Sequence, residues 1–188
     1  AARISVVVDL IQTIASQTLR TTPDAAAFKS AFSARLHGLA RIHGVLTKAM
    51  WEAPTMADIV WASIEPFGHD RIGVSGTAVT LPPSIAVTMS LVLHELATNA
   101  VKYGALSTPS GRVALSWSRN PDNHIHMSWQ EYGGPRLRPP THKGFGTKLI
   151  EASAAQIDGN VAFDYAPEGL GVRLVISSRA VAPREPAF

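Results

Sequence analysis

The chain contains no cysteine. Disulfides and thiolate metal sites are therefore excluded, and a reducing, cytoplasmic setting is expected. No apolar run approaches the roughly 20 residues that span a bilayer, and no signal peptide opens the chain, so no membrane contact is expected from this segment. Acidic and basic residues nearly balance, 14 against 17, for a net charge of +3. The basic residues are scattered, without a stripe of cations interleaved with aromatics, which argues against a nucleic-acid partner. No internal repeat is evident, and the only biased stretch surrounds Pro139-Pro140. What is present is apolar: 46% of 188 residues are hydrophobic and the mean hydropathy is +0.10. That suffices to bury the core of one large domain or two small ones. The chain opens inside an apolar-periodic pattern without a cap, so it is expected to continue upstream as part of a longer protein.

Two amphipathic helices are predicted first. Ile4, Val7, Val8, Ile11, Ile14, Ala15, Thr18 and Leu19 follow helical spacing. A break at Arg20–Asp24 places Thr22 at an N-cap and Pro23 at the first helical position. Phe28, Phe32, Leu36, Leu39 and Leu46 then mark the second helix. Such a hairpin cannot enclose a core alone, and pairing with a second copy into a four-helix bundle would bury both stripes. After a junction at Trp51–Thr55 the pattern becomes α+β. A helix is expected near 56–64, strands at 71–74 and 78–81, and a long helix from Pro82-Pro83-Ser84. Strands at 112–118 and 124–130 flank a turn at Asn120–Asn123, and a Gly/Pro loop runs from 133 to 146. A helix at 147–157 and strands at 160–165 and 171–178 complete the pattern. Helices over mainly antiparallel strands suggest a two-layer sandwich. The expected division is a helical hairpin at 1–52, an α/β sandwich at 53–179 and a Pro-rich tail at 180–188.

Three segments of the second unit carry candidate chemistry. In Leu93–Ser107, Met89, Leu93, Leu96, Ala97 and Ala100 form an apolar stripe, while Glu95, Asn99 and Lys102 share another side. A carboxylate, a carboxamide and an ammonium on one row suit a hydrated metal and a polyphosphate, although a solvated polar face would look the same. Gly104 is expected to end the helix as its C′ residue. Mg²⁺ keeps several waters, so the Asn99 side chain plus phosphates would suffice to hold it. Glu95, one turn earlier, is placed to accept a proton or hold a metal-bound water. The second segment, Trp129-Gln130-Glu131-Tyr132-Gly133-Gly134-Pro135, runs a strand into a carboxylate and two glycines. A carboxylate accepts from the exocyclic amine of adenine, and glycines let the backbone approach a flat base; an ordinary strand-ending turn has the same pattern. The third, Gly144-Phe145-Gly146-Thr147, leads a glycine loop into a helix N-terminus, where free N–H groups and the dipole favour phosphate. It matches neither a Walker loop nor a Rossmann turn.

In order, these segments resemble the N, G1 and G2 boxes of the Bergerat ATP fold. More specifically, HELATNAVKYGALS, the WQEYGGP segment with Trp129 and Glu131, and GFGTKLIEASAAQIDG resemble the HWE family of bacterial sensor histidine kinases. IASQTLR (14–20) and the run from Phe32 to His43 with Trp51 resemble that family's dimerisation and phosphotransfer helices. The resemblance implies ATP and Mg²⁺ as cofactors, a homodimer through residues 1–52, and a response-regulator receiver domain as partner. It implies Asn99 as metal ligand and Glu95 as general base or metal-water holder, with Lys102 and Tyr103 near the phosphates. Glu131 and Gly133 would sit at the adenine, and Gly144, Gly146 and Thr147 at the phosphate end of a short lid. Trp129 reads as packing, while His94 either orients the lid or packs.

One departure matters. Aligned on Arg3, the phosphoacceptor histidine falls at Ala2, and Val6 and Asp9 also differ from the family pattern. Alanine has no nucleophile for in-line attack on a γ-phosphate. Three explanations stand: an engineered residue, a naturally degenerate kinase acting as pseudokinase, phosphatase or scaffold, or an alternative acceptor at His37 or His43. A Bergerat ATPase of another kind, such as an anti-sigma factor kinase, would lack the helical hairpin.

Overall fold

The computed structural model describes residues 54–141 and 144–177, with scattered positions between 15 and 33. The hairpin's remaining residues, Ala2 and the tail from 178 lie outside the described residues. Within it, the described positions from Ala25 to Ser33 are helical, and the Phe28 N–H donates to the Asp24 carbonyl at 3.0 Å. Phe28 and Phe32, one turn apart, stack at 5.3 Å. Of the two positions expected on the first apolar stripe that are described at its end, Thr18 is buried and Leu19 is 68% exposed in the single chain.

Helix α1 (Met56–Ile64) starts at a capping box: Thr55 Oγ1 accepts from the Asp58 N–H, and the Asp58 carboxylate accepts from the Thr55 N–H. Strand β1 (Ile72–Gly76) follows, then α2 (Pro83–Lys102), which begins with proline in its first turn. Strands β2 (Arg112–Arg119) and β3 (Ile125–Tyr132) form a hairpin. Helix α3 (Phe145–Gln156) and strands β4 (Gly159–Ala166) and β5 (Gly169–Ile176) complete the described part. The sheet order is β1-β2-β3-β5-β4, parallel at β1/β2 and antiparallel elsewhere. Alternation along β2 buries Val113, Leu115 and Trp117 and exposes their neighbours. These side chains join Met127, Trp129, Val172 and Leu174 in a core closed by Ile59, Met89, Leu93 and Leu96 from the helices. The result is the expected α+β two-layer sandwich.

Three sequence expectations need correction. Residues 78–81 form no strand. Thr80 makes one bridge with Thr55, flanked by bonds from the Met56 N–H to Val79 and from the Leu81 N–H to Pro54. The partner stretch turns into α1 at Met56, so no ladder can extend. Helix α3 begins at Phe145, two residues early, because the extended Gly144 (φ −65°, ψ 170°) serves as N-cap without a side-chain bond. Third, α2 holds an 18-residue stretch of mean hydropathy 1.3, long and apolar enough to cross a membrane by length and composition, although no such run was expected. That stretch is 67% buried, and its apolar residues are core contacts of the sandwich.

Candidate functional site

Helix α2 supplies the axis of the site. Its apolar stripe is buried as the spacing predicted: Met89, Leu93, Leu96, Ala97 and Ala100 are at most 1% exposed. The polar row is graded along the helix, with Glu95 buried, Asn99 half-buried and Lys102 exposed. His94 is half-buried, its ring 5.5 Å from Phe67 and tilted by 60°. Tyr103, at the helix end, is 72% exposed.

The start of α3 lies against the middle of this row. A Cβ on Gly146 would stand 2.8 Å from Asn99 Nδ2 and 3.3 Å from Glu95 Oε2. Glycine is therefore what lets this backbone approach both polar side chains. The Lys148 N–H makes the first bond of the helix, to Gly144, so the N–H groups of residues 145–147 have no partner within the helix. Thr147 is half-buried there. The structure thus brings Glu95, Asn99, Gly146 and the helix N-terminus together.

Glu131 forms a second cluster, at the C-terminal end of α2. Period-two alternation puts Trp129 and Glu131 on the same, buried face of β3. Glu131 Oε2 accepts from the Ala105 N–H at 2.7 Å, and Oε1 accepts from the Trp129 indole N–H at 3.2 Å. Burial raises the carboxyl above the ordinary range of 4.5, outweighing the Ala105 and Trp129 donors that favour the ionised form. With Tyr103 as the C-cap, Gly104 stands at C′, where α2 was expected to end, and its backbone there is extended (φ −107°, ψ −152°). Its missing Cβ makes room for the Glu131 carboxylate, which any side chain there would overlap. Gly133 has φ +67°, a left-handed turn, and its carbonyl accepts from Thr108 Oγ1 at 2.8 Å. Arg71 braces the same segment by donating to the Thr108 carbonyl at 2.7 Å.

Sequence reasoning missed the roles of Gly104, Arg71 and the Trp129 indole. Only the i, i+2 spacing of Trp129 and Glu131 on a strand offered a local signal. Lys102 makes no ion pair among the described residues, and neither it nor Tyr103 is joined by a side-chain bond to either cluster. No group of three or more His, Asp or Glu side chains gathers among them. The Asn99 side chain offers one amide oxygen, a hard donor of the kind that a largely hydrated cation can use.

The fold is that of histidine kinase catalytic domains. The blue-light activated histidine kinase of Erythrobacter litoralis EL346 superposes with a TM-score of 0.74, covering 95% of this chain and 60% of that one at 16% identity. Its separately solved histidine kinase domain gives 0.63 over 93% of this chain and 100% of that domain, at 18% identity. These identities speak for the fold alone. In sequence, the family model for HWE histidine kinases matches residues 3–78. A blue-light-activated histidine kinase of Brucella anthropi is 38% identical over 169 residues, or 86% of this chain and 34% of that protein. The chain belongs to the HWE histidine kinase family. It spans about a third of the length of the curated relatives it matches.

Proposed function

We propose that this chain is the transmitter core of a two-component sensor histidine kinase whose 53–179 unit binds Mg-ATP. The observation that carries the reading is the approach of Gly146 and the α3 N-terminus to Asn99 and Glu95. It pairs a first turn whose N–H groups have no partner within the helix, suited to phosphate, with an oxygen donor suited to Mg²⁺. In this reading Asn99 holds the metal and Glu95 a metal-bound water or a proton. Lys102 and Tyr103 flank the phosphates, and Gly144, Gly146 and Thr147 cover them. Glu131 and Gly133 lie at the adenine end, and His94 orients the lid. Bound Mg²⁺ would neutralise charge on the transferring phosphoryl group. Residues 1–52 form the dimerising hairpin, residues 180–188 a tail, the receiver domain of a response regulator is the partner, and the setting is cytoplasmic.

Calorimetric titration tests the nucleotide site. Saturable heat with Mg-ATP is expected in the native chain, and its loss in Asn99→Ala with the fold retained. Saturable heat that Asn99→Ala leaves unchanged contradicts the assignment.

Ala2, with Val6 and Asp9, favours a second reading of the output, in which the kinase is degenerate. Nucleotide binding and response-regulator docking persist, while autophosphorylation at the usual position is lost. No radiolabel from γ-labelled ATP is expected on this chain. Acid-labile, base-stable label at His37 or His43 would contradict that reading.

A further inference from the structure

We propose that Glu131 is a positioning residue that pins the Gly104–Ala105 turn and thereby the end of α2, and that it does not itself accept a hydrogen bond from the base. The proposal rests on the Mg-ATP reading for its effect on nucleotide, but its geometric content stands apart. Each carboxylate oxygen accepts one hydrogen bond from this chain, Oε2 from the Ala105 N–H at 2.7 Å and Oε1 from the Trp129 indole at 3.2 Å, and burial closes the remaining lone pairs to a base. Glu131 is 2% exposed and Trp129 is fully buried. The carboxylate fills the space that the absent Gly104 side chain leaves open. It thus closes a bridge between the core of the sheet and the residues that follow Lys102 and Tyr103. Ala105 is the second residue after the C-cap, and the Gly104 N–H already bonds the Asn99 and Ala100 carbonyls, both at 3.1 Å. A force on the Ala105 N–H therefore acts one peptide away from the Asn99 backbone. Thr108, bonded to the Ala105 and Gly133 carbonyls, and Arg71 hold the other side of the same turn.

This arrangement separates two roles for one carboxylate. A direct acceptor would discriminate for the exocyclic amine of adenine. A clamp would support any purine triphosphate equally, since it acts through the backbone of the metal-binding helix.

The test compares ATP with purine riboside triphosphate, which lacks that amine, in the native chain, Glu131→Gln and Trp129→Phe. Titrations are made with Mg²⁺ at a temperature where circular dichroism shows each variant folded. Glu131→Gln keeps an oxygen for Ala105 but opposes its amide N–H groups to the Trp129 N–H. It is expected to weaken both nucleotides by the same factor, about tenfold, the scale of one charge-assisted bond. Trp129→Phe, which leaves the carboxylate in place, should weaken both by a smaller common factor. Adding it to Glu131→Gln should cost no further affinity, because the opposed donor is then gone. Amide hydrogen exchange at Ala105 should quicken in Glu131→Gln. Loss of affinity for ATP alone, with the amine-free analogue unaffected, would overturn the proposal. If neither nucleotide binds the native chain, the Mg-ATP reading fails by itself. Exchange at Ala105 then decides the clamp, unchanged exchange overturning it and faster exchange upholding it.

Discussion

Two places on α2 are met by glycines, and they differ in what the glycines touch. At the C-terminal end, Gly104 and Gly111 lie so close to the Glu131 carboxylate and to the Ala105 carbonyl that a Cβ on either would overlap them. These obstacles are backbone or a buried, doubly bonded carboxylate, neither of which can move aside cheaply. Among the described residues, Gly146 faces the tips of two side chains beside Asn99, and nothing lies within 4 Å of where a Gly144 Cβ would stand. One region is locked by packing. The other is merely close, held by contacts that a side-chain rotation would relieve. A family resemblance in sequence cannot separate the two, since both read as glycine-containing boxes. The turn after α2 is closed by backbone packing, and the start of α3 has room to adjust.

The contrast between the two regions should be sharpest at Gly111. Gly111→Ala should destabilise the domain by about 3 kcal/mol, the upper range for forcing an atom into packed backbone, as measured by denaturant unfolding. A cost under about 1 kcal/mol would mean that the Ala105 turn yields. Gly146→Ala should behave oppositely. The helix-propensity gain of up to about 1 kcal/mol offsets a contact with the movable Asn99 amide, leaving stability little changed. Mg-ATP affinity should nevertheless fall about tenfold, as loss of one ligand-scale interaction would cause, because the Asn99 side chain is displaced.

A third probe uses pH. The folded Glu131 carboxyl is raised above its unfolded value, so the folded state holds this proton more tightly. Its stabilising contribution is present below the unfolded value of 4.5 and is lost as pH rises through the folded one. The native chain should therefore lose melting temperature relative to Glu131→Gln as pH rises through that window; a difference constant with pH would contradict the burial of the carboxyl. The smallest effect is expected at Gly144→Ala. With an ordinary φ of −65° and open space around it, the change should stay within about 0.5 kcal/mol, as a weaker N-cap and a stiffer unfolded chain nearly cancel.

Much of this was legible in the chain. The α2 stripe and the β2 and β3 alternation were readable because burial imposes a period on consecutive residues. The convergence of Glu95 and Asn99 with Gly146 followed from motif order and resemblance. The start of α3 was misplaced because no capping side chain marks it. Residues 78–81 look like a strand because they are apolar and extended, yet pairing depends on a partner that ends at Met56. Gly104 does follow the C-cap of α2, as its place in the pattern suggested. The further requirement for glycine comes from Glu131, across a contact that no local window contains.

Amide hydrogen exchange with and without Mg-ATP tests the account most directly. Gly104 and Ala105 should exchange slowly in both states, while residues 144–148 should exchange quickly alone and slow markedly with nucleotide. Slowing confined to 104–105, with 144–148 indifferent to Mg-ATP, would contradict a phosphate site at the start of α3.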